Sequence, residues 1–319
     1  VLSGLPPLTL ALLLVAGMAL DLLLGEARRW HPLVGFGALA QWLERRLNAG
    51  GWRIARGAAA WILAVLPLAV LAAWLCGAAG AGGLAAHSLL LYLCLGLRSL
   101  RDHTLPIHAA LAAGDLPRAR WLTSRIVSRD TANAGEADLA KAGAESLLEN
   151  GNDAVFGTLF WFLVGGGAGA LLFRLANTLD AMWGYRNVRF NLFGRVAARI
   201  DDVLNYVPAR LTALSYALLA PGAGCLRALR CWRAQAPAWS SPNAGPVMAS
   251  GAGALGIRLG GAAVYDGEVE RRPLLGIGPD ATTRDILRAW RLVFRTALLW
   301  AMAAFGLAVV LYLRGVSHA

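Results

Sequence analysis

Glu145-Ser-Leu-Leu-Glu149-Asn150-Gly-Asn-Asp153 runs directly into the apolar segment 154–176, which is interrupted at Gly165-Gly166-Gly167 and leaves through Asn177-Thr-Leu-Asp180. The segment is long enough to cross a bilayer, since a spanning helix needs about 20 apolar residues. A single crossing would carry Arg186, Arg189, Arg195 and Arg199 outside, against the retention of arginine on the cytoplasmic side. The glycines permit backbone that a helix does not. The run is therefore expected to fold back as a re-entrant helix pair, a form that occurs where broken helices line a cavity. Glu145, Glu149 and Asp153 would then share one cytoplasmic face with Asn177, Asp180 and Arg186.

Outward from this stretch, the same apolar character recurs along all 319 residues. Hydrophobic residues make up 57% and charged residues 15%, against about 25% charged in soluble domains. Further spans are expected near 5–24, 57–77, 84–100 and 296–313, and a second broken pair at 204–224, cut by Pro221-Gly222. The fold expected is an all-α polytopic integral membrane protein with about four full spans plus one or two broken or re-entrant helix pairs. Residues 1–319 read as a single membrane domain, with cytoplasmic loops at about 25–56, 101–153, 177–203 and 225–295. Arg28, Arg29, Arg45, Arg46, Arg53 and Arg56 put the first of these loops inside. The N-terminal run lacks a basic leader and a convincing cleavage site, and reads as a retained span.

The net charge of +11 comes from 30 basic residues, of which only Lys141 is lysine. They sit in loops between apolar runs, as orientation in a membrane requires, and such a surface also attracts anionic lipid and phosphorylated substrates. No arginine–aromatic stripe is present, so no nucleic-acid partner is expected. Cys76, Cys94, Cys225 and Cys231 form no CxxC pair, which argues against a zinc or disulfide framework. There is no GxxxxGK[ST] phosphate loop and no GxGxxG dinucleotide turn.

Glu145 and Glu149, four apart on a helical stretch, share a face, and Asp153 follows one turn later. Such a line of acids needs a cation, and magnesium, held by one or two carboxylates plus substrate phosphates, suits it. The plain alternative is a solvated face with Lys141 paired to Glu145. Asn177 and Asp180 also share a face, followed by Tyr185-Arg186-Asn187, where Arg186 can clamp a phosphate or anchor at the interface with Tyr185. Asp202 is a candidate for a second magnesium and Asp201 for a pair with Arg199 or Arg195. His31, before Pro32, suits phosphate binding, proton transfer or a loop anchor. Asn243, in Ser241-Pro-Asn-Ala-Gly245, suits an amide or phosphate or an Asx-type turn. Pro246–Gly261, small residues around Arg258, reads as a packed helix or a cavity wall, with a close-contact GxxxG spacing at Gly256–Gly260.

Taken in order, these blocks resemble the CobD/CbiB family of adenosylcobinamide-phosphate synthases. The resemblance rests on Asp21-Leu-Leu-Leu-Gly25 with His31-Pro32, Arg129-Asp130-Thr131, Glu145 to Asp153, Asn177 to Asn187, Ala198-Arg-Ile-Asp-Asp202 with Asn205 and Pro208-Ala-Arg210, Ser241 to Gly245, and Gly256 to Gly261 with Tyr265. Glu26-Ala27, Gly157-Thr158 and Trp239-Ser240 depart from the family pattern. The resemblance implies joining adenosylcobyric acid to (R)-1-aminopropan-2-ol phosphate as an amide, with ATP as co-substrate and Mg2+. It implies catalytic roles for Glu145, Glu149, Asp153 and Asp180, with Glu145, Glu149, Asp153 and Asp202 as metal ligands. Arg129, Asp130, Asn150, Asn177, Tyr185, Arg186, Asn243, Arg258 and His31 would bind substrate or phosphate. It further implies a bacterial inner (cytoplasmic) membrane location with the active face cytoplasmic, and threonine-phosphate decarboxylase as a partner beside the lipid bilayer. An intramembrane prenyltransferase, suggested by Asp201-Asp-Val-Leu-Asn205, and a corrinoid or small-molecule transporter are the alternatives.

Overall fold

The computed structural model describes residues 2–26, 31–265 and 267–316; Arg28 and Arg29 of the first basic loop lie outside them. Helices dominate: α1 (Pro7–Leu24), α2 (Pro32–Leu47), α3 (Arg53–Cys76), α4 (Ala81–Cys94), α5 (Leu97–Ala112), α6 (Leu116–Ser124) and α7 (Glu136–Asn150) lead into a π-helical turn, Gly151–Phe156. Then come α8 (Gly157–Trp183), α9 (Arg195–Leu218), α10 (Gly224–Gln235), α11 (Ala244–Leu255), strands β1 (Leu259–Tyr265) and β2 (Glu268–Leu275), and α12 (Thr283–Val316). Among the described residues, five helical stretches are long and apolar enough to cross a membrane: Pro7–Leu24, Arg53–Cys76, Ala81–Ala112, Glu136–Trp183 and Thr283–Arg314. Ile62, Leu63, Leu66, Val70 and Leu71 on α3 are exposed, an apolar face that water would penalise and lipid accepts. The chain is a polytopic α-helical membrane protein. It reads from sequence as one domain; it packs as two compact units, 1–96 with 157–205 and 301–319, and 97–156 with 206–300.

In the first unit the glycine-broken run folds back on itself. A Cβ on Gly169 would stand 2.3 Å from the Trp161 carbonyl oxygen, and one on Gly157 would stand 2.1 Å from the Phe173 ring. In a straight helix those pairs would be roughly 12 and 24 Å apart at 1.5 Å per residue. The arms 157–165 and 167–183 therefore run antiparallel, reversed at Gly166, whose φ of 63° and ψ of −153° suit only glycine. The turn reaches the far end of α3: the Gly167 amide donates to His87 Nδ1 at 2.9 Å, Cys76 Sγ lies beside Gly167, and the Leu2 amide bonds the Val164 carbonyl. The hairpin is thus as deep as its neighbouring span, and the chain leaves on the side it entered. Ala60 and Ala64 of α3, Phe36 and Leu43 of α2, Leu175 and Leu179 of α8, and Trp183 and Phe193 form the core; the alanines allow α3 to approach α8 closely. The run expected to span 84–100 lies within the stretch Ala81–Ala112, in which Leu95 turns extended (ψ 137°) between α4 and α5.

The second unit is built around α11, all of whose residues are buried. Small side chains let α10 and α11 lie together, and Gly253 sits against the Ala228 backbone. The packed helix is what forms, and it stops at Leu255 because Gly256 adopts left-handed backbone (φ 69°). Gly256–Gly260 is consequently not a helix-contact motif. Its second half enters β1, which pairs antiparallel with β2 through a bulge at Gly260/Gly261. This hairpin was not expected: small residues and the glycines masked the alternation in Leu-Gly-Gly-Ala-Ala-Val-Tyr. Helices α2, α5, α6 and α10 occupy regions that read as loops, whereas α7 is the helical stretch expected around Glu145 and Glu149. Helix α9 ends before Pro221-Gly222, where the chain turns into α10; among the described residues the stretch 204–224, expected as a second broken pair, is not one of those long and apolar enough to cross a membrane.

Candidate functional site

Glu145 is the most densely contacted acid of the second unit. Arg129 Nη2 donates to its Oε2, and Arg272 reaches the same oxygen at 3.2 Å and Oε1 at 3.3 Å. The Gly260 amide adds a bond to Oε1 at 2.7 Å. The carboxylate is 4% exposed and the two arginines 10% and 12%, so burial of three charges is balanced by ion pairing and hydrogen bonds, as it must be. Three elements converge here: the loop before α7, α7 itself, and the β hairpin, held by the Asp130 amide to the Val264 carbonyl and by the Gly267 amide to Asp130 Oδ2. Arg272 also lies over the Trp239 ring. Sequence reasoning missed it because no signal placed a strand near it. Lys141 pairs with Asp138 at 3.5 Å, not with Glu145.

Glu149, one turn on, is half-buried and within electrostatic range of Glu145, Arg272 and Arg129. Among the described residues its side chain has no hydrogen-bond or ion-pair partner. Asp153 follows in the π-helical turn Gly151–Phe156. Asp153 Oδ1 accepts from Asn152 Nδ2 at 3.0 Å, and Thr212 donates to Asn152 Oδ1 at 3.1 Å. Asn150 turns inward on its own helix, donating to Ser146.

A second polar group lies in the first unit. Asp201 is buried and accepts from Asn177 at 3.3 Å and Asn205 at 3.0 Å. Burial raises its pKa to about 6, against the opposing pull of the two amides. Asp202, also raised by burial, lies in the field of Arg199 and Arg186. Asp180 is within electrostatic range of both acids, and its carboxylate has no hydrogen-bond partner among the described residues. Asp201 therefore pairs with amides, not with Arg199 or Arg195, and its saturation removes the first acid from the DDxx(D/N) reading. Arg186 and Tyr185 are exposed, with Tyr185 tilted against Phe190. Next to them Arg189 forks onto Glu44, at 3.0 and 2.7 Å, tying the 184–194 loop to α2. This bond holds the Glu44 pKa below the usual carboxylate value. Position 44 falls in a stretch read as loop, which hid the pair.

The remaining candidates have structural work. His31 caps α2, its Nδ1 accepting from the Leu33 amide at 3.2 Å. Asn243 precedes α11 but accepts from Arg210 at 2.7 Å, while Ser241 caps the backbone. Arg258 pairs with Asp280 at 3.1 Å on the surface. Among the described residues no three His, Cys, Asp or Glu side chains form a metal-ligand set. Among the described residues Glu145, Glu149 and Asp153 form no three-ligand metal set: the first is neutralised by two arginines and the third accepts from Asn152. Asp180 and Asp202 lie within electrostatic range of each other.

The family model described as CobD/Cbib protein matches residues 14–293. "Cobalamin biosynthesis protein CobD" of Stutzerimonas stutzeri is 56% identical over 291 residues, covering 90% of this chain and 94% of its own. The protein of the same name from Chromobacterium violaceum is 53% identical over 316 residues, covering 97% and 99%. That of Mycobacterium tuberculosis is 39% identical, covering 88% and 90%. No solved structure matches the chain. With a match across most of its length and relatives this similar, the chain belongs to the CobD/CbiB family.

Proposed function

We propose that the protein acts in cobalamin biosynthesis as an acid–amine ligase of the bacterial cytoplasmic membrane. It joins the free propionate of adenosylcobyric acid to (R)-1-aminopropan-2-ol phosphate, with Mg-ATP as co-substrate, giving adenosylcobinamide phosphate. The observation that carries this reading is Glu149, a half-buried carboxylate with no hydrogen-bond or ion-pair partner among the described residues, one turn from the fully engaged Glu145 in a CobD/CbiB chain. Amide formation needs the propionate oxygen converted to a leaving group and a proton taken from the amine. ATP supplies the first as phosphate. Glu149 is suited to the second, because a carboxylate without a partner can accept a proton.

Asp180 and Asp202 would hold Mg2+ beside substrate phosphates, with Arg186 as a phosphate contact. The Glu145 ion centre positions Arg129 and fixes the β hairpin next to Glu149. Delivery of the amine by a threonine-phosphate decarboxylase docked on cytoplasmic loops is part of the same reading. Purified protein incubated with adenosylcobyric acid, aminopropanol phosphate and Mg-ATP should yield a corrinoid whose mass has grown by that of the amine less water. Folded protein that produces no such mass would overturn the proposal.

A further inference from the structure

Helix α12 carries Arg284, Arg288, Arg291 and Arg295 at spacings of four, three and four, so all four share one face. Immediately beyond Arg295, residues 296–313 contain no charged side chain, and they belong to a stretch apolar enough to cross the membrane. The row therefore stands at the foot of a span, where water gives way to lipid headgroups. Arg288, Arg291 and Arg295 line a cavity of about 180 Å3, whose other walls include Leu219, Leu255 and Leu292. The acid facing the row is Asp285, whose carboxylate is already taken by Arg288 and by the amide and hydroxyl of Thr282. Arg288 also bonds the Leu255 carbonyl. Arg291 and Arg295 are exposed and have no hydrogen bond or ion pair among the described residues.

Two unneutralised guanidiniums beside an apolar wall are complementary to one chemistry, a phosphate that carries hydrocarbon. Leu214 and Leu218, on the last turns of α9 leading to Leu219, are exposed. Trp300, one turn into the span, is anchored by its Nε1 to Ser215 Oγ at 3.0 Å, a placement usual for tryptophan at a membrane interface. We propose that this cavity is a binding site for an anionic phospholipid, with the phosphate between Arg291 and Arg295 and an acyl chain along Leu219, Leu218 and Leu214. Basic pockets beside membrane helices take anionic headgroups by the same physics. The site is independent of the proposed ligase reaction.

The test is native mass spectrometry of the detergent-purified full chain, titrated with phosphatidylglycerol, phosphatidylcholine or glycerol 3-phosphate. Phosphatidylglycerol should bind the wild type well above phosphatidylcholine. The double variant Arg291→Gln/Arg295→Gln should bind it roughly 30-fold more weakly, since both charges that hold the headgroup are removed. Arg230→Gln, which removes an exposed charge from α10, should change nothing, separating a site from net charge. Equal binding of the two lipids, or an undiminished double variant, would overturn the proposal. Glycerol 3-phosphate competing as tightly as phosphatidylglycerol would also overturn it, by showing a soluble-phosphate site. Thermal melts of each variant confirm that weak binding is not unfolding.

Discussion

Replacing Glu145 by glutamine would leave the Arg129 and Arg272 guanidiniums buried without their counter-charge. Removing one member of such a cluster costs about 3–5 kcal/mol, so E145Q should melt well below wild type; an unchanged melting temperature would show that the ion centre is dispensable. Glu149→Gln makes the contrasting case. Its carboxylate has no bonds to lose, so the variant should melt within a few degrees of wild type yet lose about 10²-fold or more of product formation, as expected when a general base is removed. Normal turnover by E149Q would dismiss its proposed role. Asp201 titrates in the opposite sense to a salt-bridged acid. Its folded pKa of about 6 lies above the ordinary aspartate value of 3.8, so the stability it contributes is present at low pH and is lost as pH rises between those values. By about 1.4 kcal/mol per pKa unit, the buried charge costs roughly 3 kcal/mol above pH 6. Asp201→Asn gives back about 1 kcal/mol of that through a lost acceptor. The variant should therefore be stabilised at pH 8 and lose its advantage toward pH 4, in thermal melts across that range. A difference that ignores pH would refute the assignment.

At the scale of elements, the α8 hairpin turns on a single residue. Gly166→Ala would place a methyl 2.3 Å from His87 Cε1 in backbone disfavoured for any side chain. Strain and overpacking of about 1–3 kcal/mol each predict clear destabilisation, whereas Gly165→Ala, which meets open space, should be tolerated. Equal effects of the two would deny that the turn is at 166. The fold-back was legible in sequence because three consecutive glycines in an apolar run conflict with a single span and its charge distribution. The β hairpin was not. Arg272 and Arg271 in β2 alternate with nothing apolar enough to mark a buried face, and the strand forms because α7, through Glu145, and the loop at Asp130 hold it.

For the molecule as a whole, sidedness follows from the first unit. Arg53, at the start of α3, donates to the Val188 and Arg189 carbonyls, so the 184–194 loop sits at that end. Helix α3, at 24 residues about 36 Å long, carries the chain to the opposite end at Cys76. Cysteines introduced at exposed Trp52 and Val188 should react with a membrane-impermeant maleimide from the same side, and one at Gly80 from the other. Labelling of positions 52 and 188 from opposite sides would break the hairpin topology.

By itself the sequence determined that the chain lies in a membrane, roughly where its spans run, that the central run reverses, and which family it resembles. These depend on apolar length, charge placement and local glycine chemistry, each readable within a few turns. Only the tertiary structure decided which acids are open. Glu145 and Glu149 have the same residue type and the same helix, and no local rule separates them. Arg272, 127 positions away, neutralises one and leaves the other without a partner, because the balance between desolvation and ion pairing depends on what the distant chain brings to each carboxylate.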